Sequence, residues 1–323
     1  MLALDAQVYK NYWGSMFYGA NGHFDYSQTI AQQIAGLQLM GMTSYRVTYE
    51  NSTASLNYLV SLAQALAGTN ITPIVCIDLD MAPGGTLYAS EGAAYAGGFA
   101  AGQTVAQALA PYGVNFYETG NELDAKNGIR IPVQAVQGGI PQDFANSLFP
   151  ILRGVINGCM AAIRTYQPAA LIVSNAFTAC STACADMLWD GRQPDGSYGW
   201  PQLRWDVTNW HNYEDYGLMS QMSMDFQKPT TNVWDHLMCK YGRPIICTEW
   251  NGKQSDTDAQ RATWATTFLN DATKWAKLFP GSILAVCVYQ LFNGTPWGVL
   301  NADGTVESTF GTTVKNYIAA NPL

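Results

Sequence analysis

Charged residues are scarce in this sequence. Asp, Glu, Lys and Arg make up only 12% of its 323 residues, about half the usual fraction. The 16 basic and 24 acidic residues leave a net charge of −8, so the chain is poorly suited to binding nucleic acid or an anionic membrane. Its polar surface must come mainly from Ser, Thr, Asn, Gln, Gly and Tyr, whose uncharged groups suit ligands such as sugars.

Long apolar runs and an export signal are also missing. No run reaches 18 apolar residues, so no transmembrane helix is expected. Residues 1–5 do not form a basic region followed by an apolar core, which a signal peptide would need. Either the protein is cytoplasmic or an initiating Met has replaced a signal. We expect a secreted or periplasmic monomer, with a cytoplasmic location as the alternative.

Metal-binding patterns are missing as well. The chain has three His and no C-x-x-C pair, which argues against zinc, and we expect neither a metal nor a cofactor. Among the seven Cys, Cys76, Cys247 and Cys287 lie in apolar runs and are expected to be buried thiols. Cys180 and Cys184 lie in a Ser/Thr/Ala loop; the sequence allows a local disulfide or two thiols.

What the chain does contain is an alternation of short apolar runs and longer segments with helical spacing. The apolar runs are 15–18, 44–48, 72–77, 114–119, 170–174, 206–211, 244–248 and 284–289. Helices are predicted at 29–40 (capped by Ser27), 56–67, 141–166 (opened by Pro141), 256–278 and 312–320.

This alternation predicts parallel strands joined by helices, and eight apolar strands predict a closed (β/α)₈ barrel. A doubly wound open sheet is the rival fold. It usually has a glycine-rich phosphate loop after its first strand, and residues 19–22 do not form one. We therefore predict a single barrel domain over residues 1–323, with its site at the carboxyl ends of the strands.

Two of these strand ends carry a carboxylate. Glu122 follows the fourth apolar run and Glu249 follows the seventh, and strands 4 and 7 lie on opposite sides of an eight-stranded barrel. Two facing carboxylates suit glycosidic bond cleavage, in which one protonates the leaving oxygen and the other attacks the anomeric carbon. The alternative is that both are loop carboxylates that cap helices or pair with Arg.

Four segments extend this argument from chemistry to a family. Residues 118–122 read E-T-G-N-E, 248–250 read T-E-W, 210–213 read W-H-N-Y and 41–46 read G-M-T-S-Y-R. In their order along the chain, these segments resemble the signatures of clan A retaining glycoside hydrolases, most closely family 39 and next family 5. The resemblance runs over essentially the whole chain.

The resemblance implies a role for each matching residue. Glu122 would be the acid/base and Glu249 the nucleophile, while Asn121 would hydrogen-bond the sugar 2-hydroxyl. Arg46 would keep the nucleophile ionised. The remaining contacts would come from Tyr213, as a donor to Glu249, and from His211, as part of the cleft wall. An ordinary salt bridge, loop aromatic or core histidine is the alternative for these three.

The aromatic residues at the strand ends suggest a surface on which sugar rings stack. The clan usually has a Trp at the end of strand 8, and here Tyr289 takes that place. Trp210, Trp250, Trp297 and Trp13 lie beside expected barrel-top loops, although packing is the commoner role of a single Trp. These aromatics predict a polysaccharide or oligosaccharide substrate.

The sequence thus predicts a retaining glycosidase that acts within a polysaccharide, and the resemblance implies that it cleaves β-linkages. A noncatalytic carbohydrate-binding barrel usually lacks one of the two carboxylates, and this chain has both. A transglycosylase uses the same residues and remains an alternative. A metal-dependent barrel hydrolase needs clustered His, such as H-x-H, and none occurs.

Overall fold

The fold was described from a computed structural model, which covers residues 12–131, 138–222, 231–292 and 297–323. The strands are β1 (Tyr18–Gly22), β2 (Ser44–Tyr49), β3 (Thr72–Ile77), β4 (Phe116–Glu118), β5 (Leu171–Val173), β6 (Thr208–Tyr213), β7 (Ile245–Asn251) and β8 (Ile283–Val288). The α-helices of the described ranges are α1 (Ile30–Met40), α2 (Thr53–Leu66), α3 (Glu91–Leu109), α4 (Phe149–Tyr166), α5 (Thr182–Asp190), α6 (Val233–Tyr241), α7 (Asp258–Leu278) and α8 (Phe310–Ala320).

The eight strands form one parallel sheet in the order β5-β4-β3-β2-β1-β8-β7-β6. Between the two ends of this order, a parallel bridge joins Val173 to Val207. There the Ser174 N–H donates to the Val207 carbonyl at 2.9 Å. The sheet therefore closes on itself, and the predicted (β/α)₈ barrel is confirmed.

Local sequence explains where the first helices begin and end. The side chain of Thr29, not that of the predicted Ser27, caps α1 in a capping box with Gln32, which satisfies two N–H groups that lack partners within the helix. Gly41 ends this helix at φ 73°, a left-handed conformation that glycine adopts without steric cost. The Ser52 side chain caps α2 by accepting from the Ser55 N–H, without a capping box.

Several predicted boundaries were wrong. The first strand begins at Tyr18 rather than at residue 15, and Pro141 opens only a 3₁₀ turn, Pro141–Asp143, after which α4 begins at Phe149. Proline suits the first turn of either helix type, so its presence did not separate the two. Three helices, α3, α5 and α6, were absent from the sequence-based prediction.

The cysteine alternatives are also decided. Cys180 and Cys184 are both buried and are not bonded to each other, so the local disulfide is not formed. The expected burial of Cys76, Cys247 and Cys287 is confirmed.

Two apolar clusters fill the molecule. The larger one lies between the strands and the helices and includes Tyr45, Tyr117, Ile172 and Trp250. The smaller one contains Ile74, Phe116, Ile246 and Leu284, which lie in β3, β4, β7 and β8, and Val207, which directly precedes β6. We call these five residues the apolar layer, because they fill the barrel interior toward the amino ends of its strands. Among the described residues, no helix is both long and apolar enough to cross a membrane.

Candidate active site

The turn that carries Glu122 has a strained backbone. Gly120 adopts φ 117°, and a Cβ there would lie 2.6 Å from Leu123 Cδ1 and 2.8 Å from Asn175 Oδ1, so only glycine fits. Glu122 itself has φ 51°, an uncommon value for a residue with a side chain. Its N–H donates to the Ala176 carbonyl at 2.9 Å. The turn thus holds Glu122 at the barrel mouth, where strain often accompanies function.

Glu249 lies opposite, within β7. One carboxylate oxygen of Glu122, one of Glu249 and a ring nitrogen of His211 all lie within 4.8 Å of one another. The Glu122 side chain is 35% exposed and that of Glu249 only 10%. Two carboxyl groups at this separation match a retaining glycosidase, which needs about 5 Å between them, rather than an inverting one.

Arg46 of β2 links both sides of the barrel. It pairs with Glu118 through Nη2 to Oε1 at 2.6 Å and Nε to Oε2 at 3.0 Å, and with Glu249 through Nη1 to Oε1 at 2.5 Å. Its other donations go to Asn21 Oδ1 at 2.9 Å and Asn121 Oδ1 at 2.7 Å. Burial lowers the pKa of Arg46, but the charges of Glu118 and Glu249 help raise it well above its usual value. Arg46 therefore places a permanent positive charge beside Glu249.

Tyr213 and Asn121 complete the surroundings of the two carboxylates. The Tyr213 hydroxyl donates to Glu249 Oε2 at 2.9 Å, as the sequence resemblance implied. Burial and the charge of Glu249 raise the pKa of Tyr213 well above its usual value, so this hydroxyl keeps its proton. Because Asn121 Oδ1 accepts from Arg46, its Nδ2 is the atom that can donate to a sugar hydroxyl.

His211 lies beneath Glu122 rather than on an open cleft wall, since it is only 1% exposed. Its Nδ1 is 2.9 Å from Glu122 Oε1, and its Nε2 is 3.1 Å from Thr248 Oγ1. Burial lowers the pKa of His211, but the charge of Glu249 and the hydrogen bond to Glu122 raise it above its usual value. Burial raises the pKa of Glu122, but His211, Arg46 and Lys126 together lower it below its usual value.

Glu122, His211 and Glu249 are spaced closely enough for one divalent cation. The guanidinium of Arg46, 2.5 Å from Glu249 Oε1, repels such a cation. The same contact and the Tyr213 hydrogen bond already use both oxygens of Glu249. The surroundings of Glu249 therefore suit a carboxylate paired with arginine better than a metal ligand.

The predicted aromatic contacts divide into two groups. Tyr289 directly follows β8, and its N–H donates at 3.0 Å to the carbonyl of Trp250, the residue after Glu249. Trp297 meets the Tyr213 ring edge-on at a centroid distance of 6.0 Å. These two aromatics lie at the site.

The predictions for Trp210, Trp250 and Trp13 were wrong. Trp210 is fully buried, and Trp250 is 1% exposed and stacks on Phe268 of α7 at 4.9 Å, because alternation along a strand turns these side chains outward into the helix layer. Trp13 neighbours Tyr12, whose ring contacts Phe116 at the amino end of β4, opposite the site.

Sequence reasoning missed four buried polar residues. Asn21, Asn209 and Thr248 had no assigned role, and Glu118 was recognised only as part of a motif. All four are at most 1% exposed and hydrogen-bond within the site. Polar residues inside otherwise apolar strands were the available signal. We call Asn21, Arg46, Glu118, His211 and Glu249 the polar layer.

Comparison with solved structures supports the fold. The chain is similar to the family 1 β-glucosidase from Thermotoga maritima (14% identity, TM-score 0.64, 96% of this chain and 98% of that one). It is equally similar to the Thermotoga maritima β-glucosidase in complex with deoxynojirimycin (12% identity, TM-score 0.65, same coverage). An exo-β-1,4-mannosidase from Opitutaceae bacterium strain TAV5 also matches (15% identity, TM-score 0.57).

The match to the mannosidase covers 95% of this chain but only 60% of that one. No protein-family profile matches the sequence, and no curated protein matches it. At these identities the likeness establishes the barrel fold, and the chemistry of the site must be argued from its own residues.

Proposed function

We propose that this protein is a retaining glycoside hydrolase of the clan A type, which cleaves O-glycosidic bonds by double displacement. The observation that carries the proposal is the separation of at most 4.8 Å between carboxylate oxygens of Glu122 and Glu249. The β-glucosidase and mannosidase likeness agrees with it. The resemblance to family 39 rather than to family 5 stays a prediction.

The site's contacts assign the steps. Glu249, held by Arg46 and Tyr213, attacks the anomeric carbon while Glu122 gives a proton to the leaving oxygen. This breaks the glycosidic bond and forms a glycosyl ester on Glu249. Water then attacks the anomeric carbon, Glu122 takes its proton, and Glu249 leaves as a carboxylate. Asn121 Nδ2 donates to the sugar 2-hydroxyl, a contact that strengthens in the oxocarbenium-like transition state.

We further propose an endo-acting enzyme on β-linked polysaccharides or oligosaccharides, without metal or cofactor. Tyr289 and Trp297 would stack on sugar rings on either side of the cleaved bond. A defined β-linked oligosaccharide tests the cleavage position: internal products are expected, and release of terminal monosaccharide alone would contradict the endo mode.

The test of the whole proposal is reducing-end release from a panel of plant and bacterial polysaccharides. Wild type is compared with Glu249→Gln and with Asp258→Asn, which removes an exposed carboxylate from α7. We expect Glu249→Gln to reduce kcat by about a thousandfold or more, because the nucleophile is lost. Asp258→Asn should behave as wild type. Undiminished activity of Glu249→Gln would overturn the nucleophile assignment.

Two further measurements separate the alternatives. Proton NMR of the first product should show retention of the anomeric configuration, and inversion would contradict double displacement. A noncatalytic barrel would bind a polysaccharide without product, and a transglycosylase would give longer oligosaccharides when an acceptor sugar is added.

A further inference from the structure

Behind the acid/base residue lies a chain of buried polar groups that begins at Asn209. Its Oδ1 is 2.7 Å from the Trp210 N–H, 3.3 Å from the Thr248 N–H and 2.8 Å from Thr248 Oγ1. The two backbone groups can only donate. They therefore identify this atom as the amide oxygen of Asn209. If Oδ1 and Nδ2 were interchanged, the NH₂ group would face two N–H donors.

The direction of the next bond follows from this orientation. Because Asn209 Oδ1 can only accept, the Thr248 hydroxyl must donate to it, and a hydroxyl has one proton. Thr248 Oγ1 is then an acceptor toward His211 Nε2, 3.1 Å away. The ring nitrogen at this position must carry a proton.

With Nε2 protonated, the other ring nitrogen is the one that titrates. His211 Nδ1 is 2.9 Å from Glu122 Oε1. One proton between them gives either an imidazolium beside a carboxylate or a neutral imidazole that accepts from a carboxylic acid. The second form is the general acid.

A separate observation supports a functional role for Asn209. Its Nδ2 is buried and has no hydrogen-bond partner among the described residues, although Asn209 itself is fully buried. An unsatisfied buried donor destabilises a fold. An asparagine with an unsatisfied donor at this position is explained if its Oδ1 is needed to orient Thr248.

We propose that Asn209 and Thr248 are positioning residues that keep His211 Nε2 protonated, so that His211 Nδ1 and Glu122 share one transferable proton. This inference rests on the proposed glycosidase function. Glu122 gives its proton to the leaving oxygen in the first step and takes one from water in the second. The shared proton lies between His211 Nδ1 and Glu122 Oε1 before the transfer, and His211 is neutral after it.

The charges around His211 fit this arrangement. Glu249 of β7 and Glu122 favour the imidazolium, Arg46 of β2 opposes it, and the pKa of His211 is raised overall despite burial, which lowers it. The His211–Glu122 pair therefore keeps its proton to higher pH than a free histidine and loses it as the pH rises further. Loss of this proton should cause the fall of kcat/KM on the basic side of its pH profile.

The tautomer can be measured directly by ¹⁵N NMR, because the chain has only three histidines and His211→Asn assigns the signal. In wild type we expect Nε2 of His211 to stay protonated between about pH 5 and 8, the range of histidine titration, with the change confined to Nδ1. Titration of Nε2 in wild type would overturn the proposal. This readout needs no substrate.

Thr248→Val removes the acceptor while keeping the side-chain volume. We expect the His211 titration and the basic limb of kcat/KM to move down by about one pH unit, the size of one hydrogen bond to a charged donor. Thr248→Ser should restore both. Thr119→Val is the matched control, since Thr119 is equally buried but donates to the Val173 carbonyl; it should change neither.

The two proposals fail in different ways. An unchanged His211 titration in Thr248→Val would contradict the positioning role, even if wild type cleaves polysaccharides. If the NMR results hold but wild type cleaves nothing in the panel, the proposed function fails and the hydrogen-bond chain is a structural feature.

Discussion

The same strands build two interior layers of opposite chemistry. On β4, Phe116 belongs to the apolar layer and Glu118 to the polar layer, and both are fully buried. Residues i and i+2 of a strand point to the same face of the sheet and lie about 7 Å apart. The barrel interior therefore changes from hydrocarbon to ion pairs within two residues of backbone.

The difference shows how the fold can hold charge at its mouth. The apolar layer needs no partners beyond close packing, whereas each buried charge of the polar layer needs an opposite charge or a hydrogen bond. Arg46 contributes one positive charge against Glu118 and Glu249. The His211–Glu122 pair is neutral overall when it holds one proton. The polar layer and Glu122 together thus have a net charge of −1, which suits a transition state with a developing positive charge.

The strongest test of this comparison is to break the polar layer at Arg46. Arg46→Met keeps a long apolar side chain but leaves Glu118 buried without its partner. We expect a loss of about 3 to 5 kcal/mol in the free energy of unfolding, measured by urea denaturation, together with loss of activity.

The matched control is Arg164→Met. Arg164 also pairs with a carboxylate, Asp206, but its side chain is 46% exposed, so about 1 kcal/mol or less is expected. Equal losses in the two variants would show that burial of the charges does not distinguish the layers.

The sequence predicted the apolar layer better than the polar one. The apolar run 72–77 matches β3 (Thr72–Ile77) residue for residue, because short β-branched runs are a direct signal of buried strands. Glu122 and Glu249 were found from their positions at strand ends. Asn209 and Thr248 were missed, since the role of a buried polar residue depends on partners that are distant in sequence, as for Thr248 and His211.

Aromatic residues show a second limit. Trp250 and Trp297 both lie near strand ends in the sequence, but one is 1% exposed against α7 and the other lies beside Tyr213. The direction of a side chain at the end of a strand depends on the alternation and on irregularities such as the register shift within β7. The sequence alone did not specify that register.

A milder change in the apolar layer should separate stability from chemistry. Ile74→Val removes one methylene from a fully buried side chain of β3, and we expect a loss of about 0.5 to 1.5 kcal/mol in the free energy of unfolding. The kcat of the folded protein should be unchanged, since Ile74 belongs to the apolar layer and not to the polar layer. A tenfold fall in kcat would mean that the two layers are mechanically coupled.

The smallest effect is expected outside both layers, at the rim. Glu214 follows β6, and its carboxyl group lies near that of Asp256. Both are close to Gly252, where a Cβ would lie 3.4 Å from Glu214 Oε2 and 2.8 Å from Asp256 Oδ2. Burial and the hydrogen bond to Asp256 raise the pKa of Glu214 from 4.5 to about 7. Unlike Glu118, this carboxyl group has no arginine partner among the described residues, and a bound proton reduces its repulsion with Asp256 instead.

The sign of the resulting pH effect follows from proton binding. Between pH 4.5 and about 7 the folded protein holds a proton on Glu214 that the unfolded chain has released, so stability falls as pH rises through this window. Glu214→Gln should flatten this part of the curve of Tm against pH, and Asp258→Asn, which removes an exposed carboxylate of α7, should not. The effect should be small because the group is largely solvated. If Glu214→Gln leaves the curve unchanged, Glu214 does not hold an extra proton in the folded protein. The rim would then differ from the polar layer only in how deeply its carboxyl groups are buried.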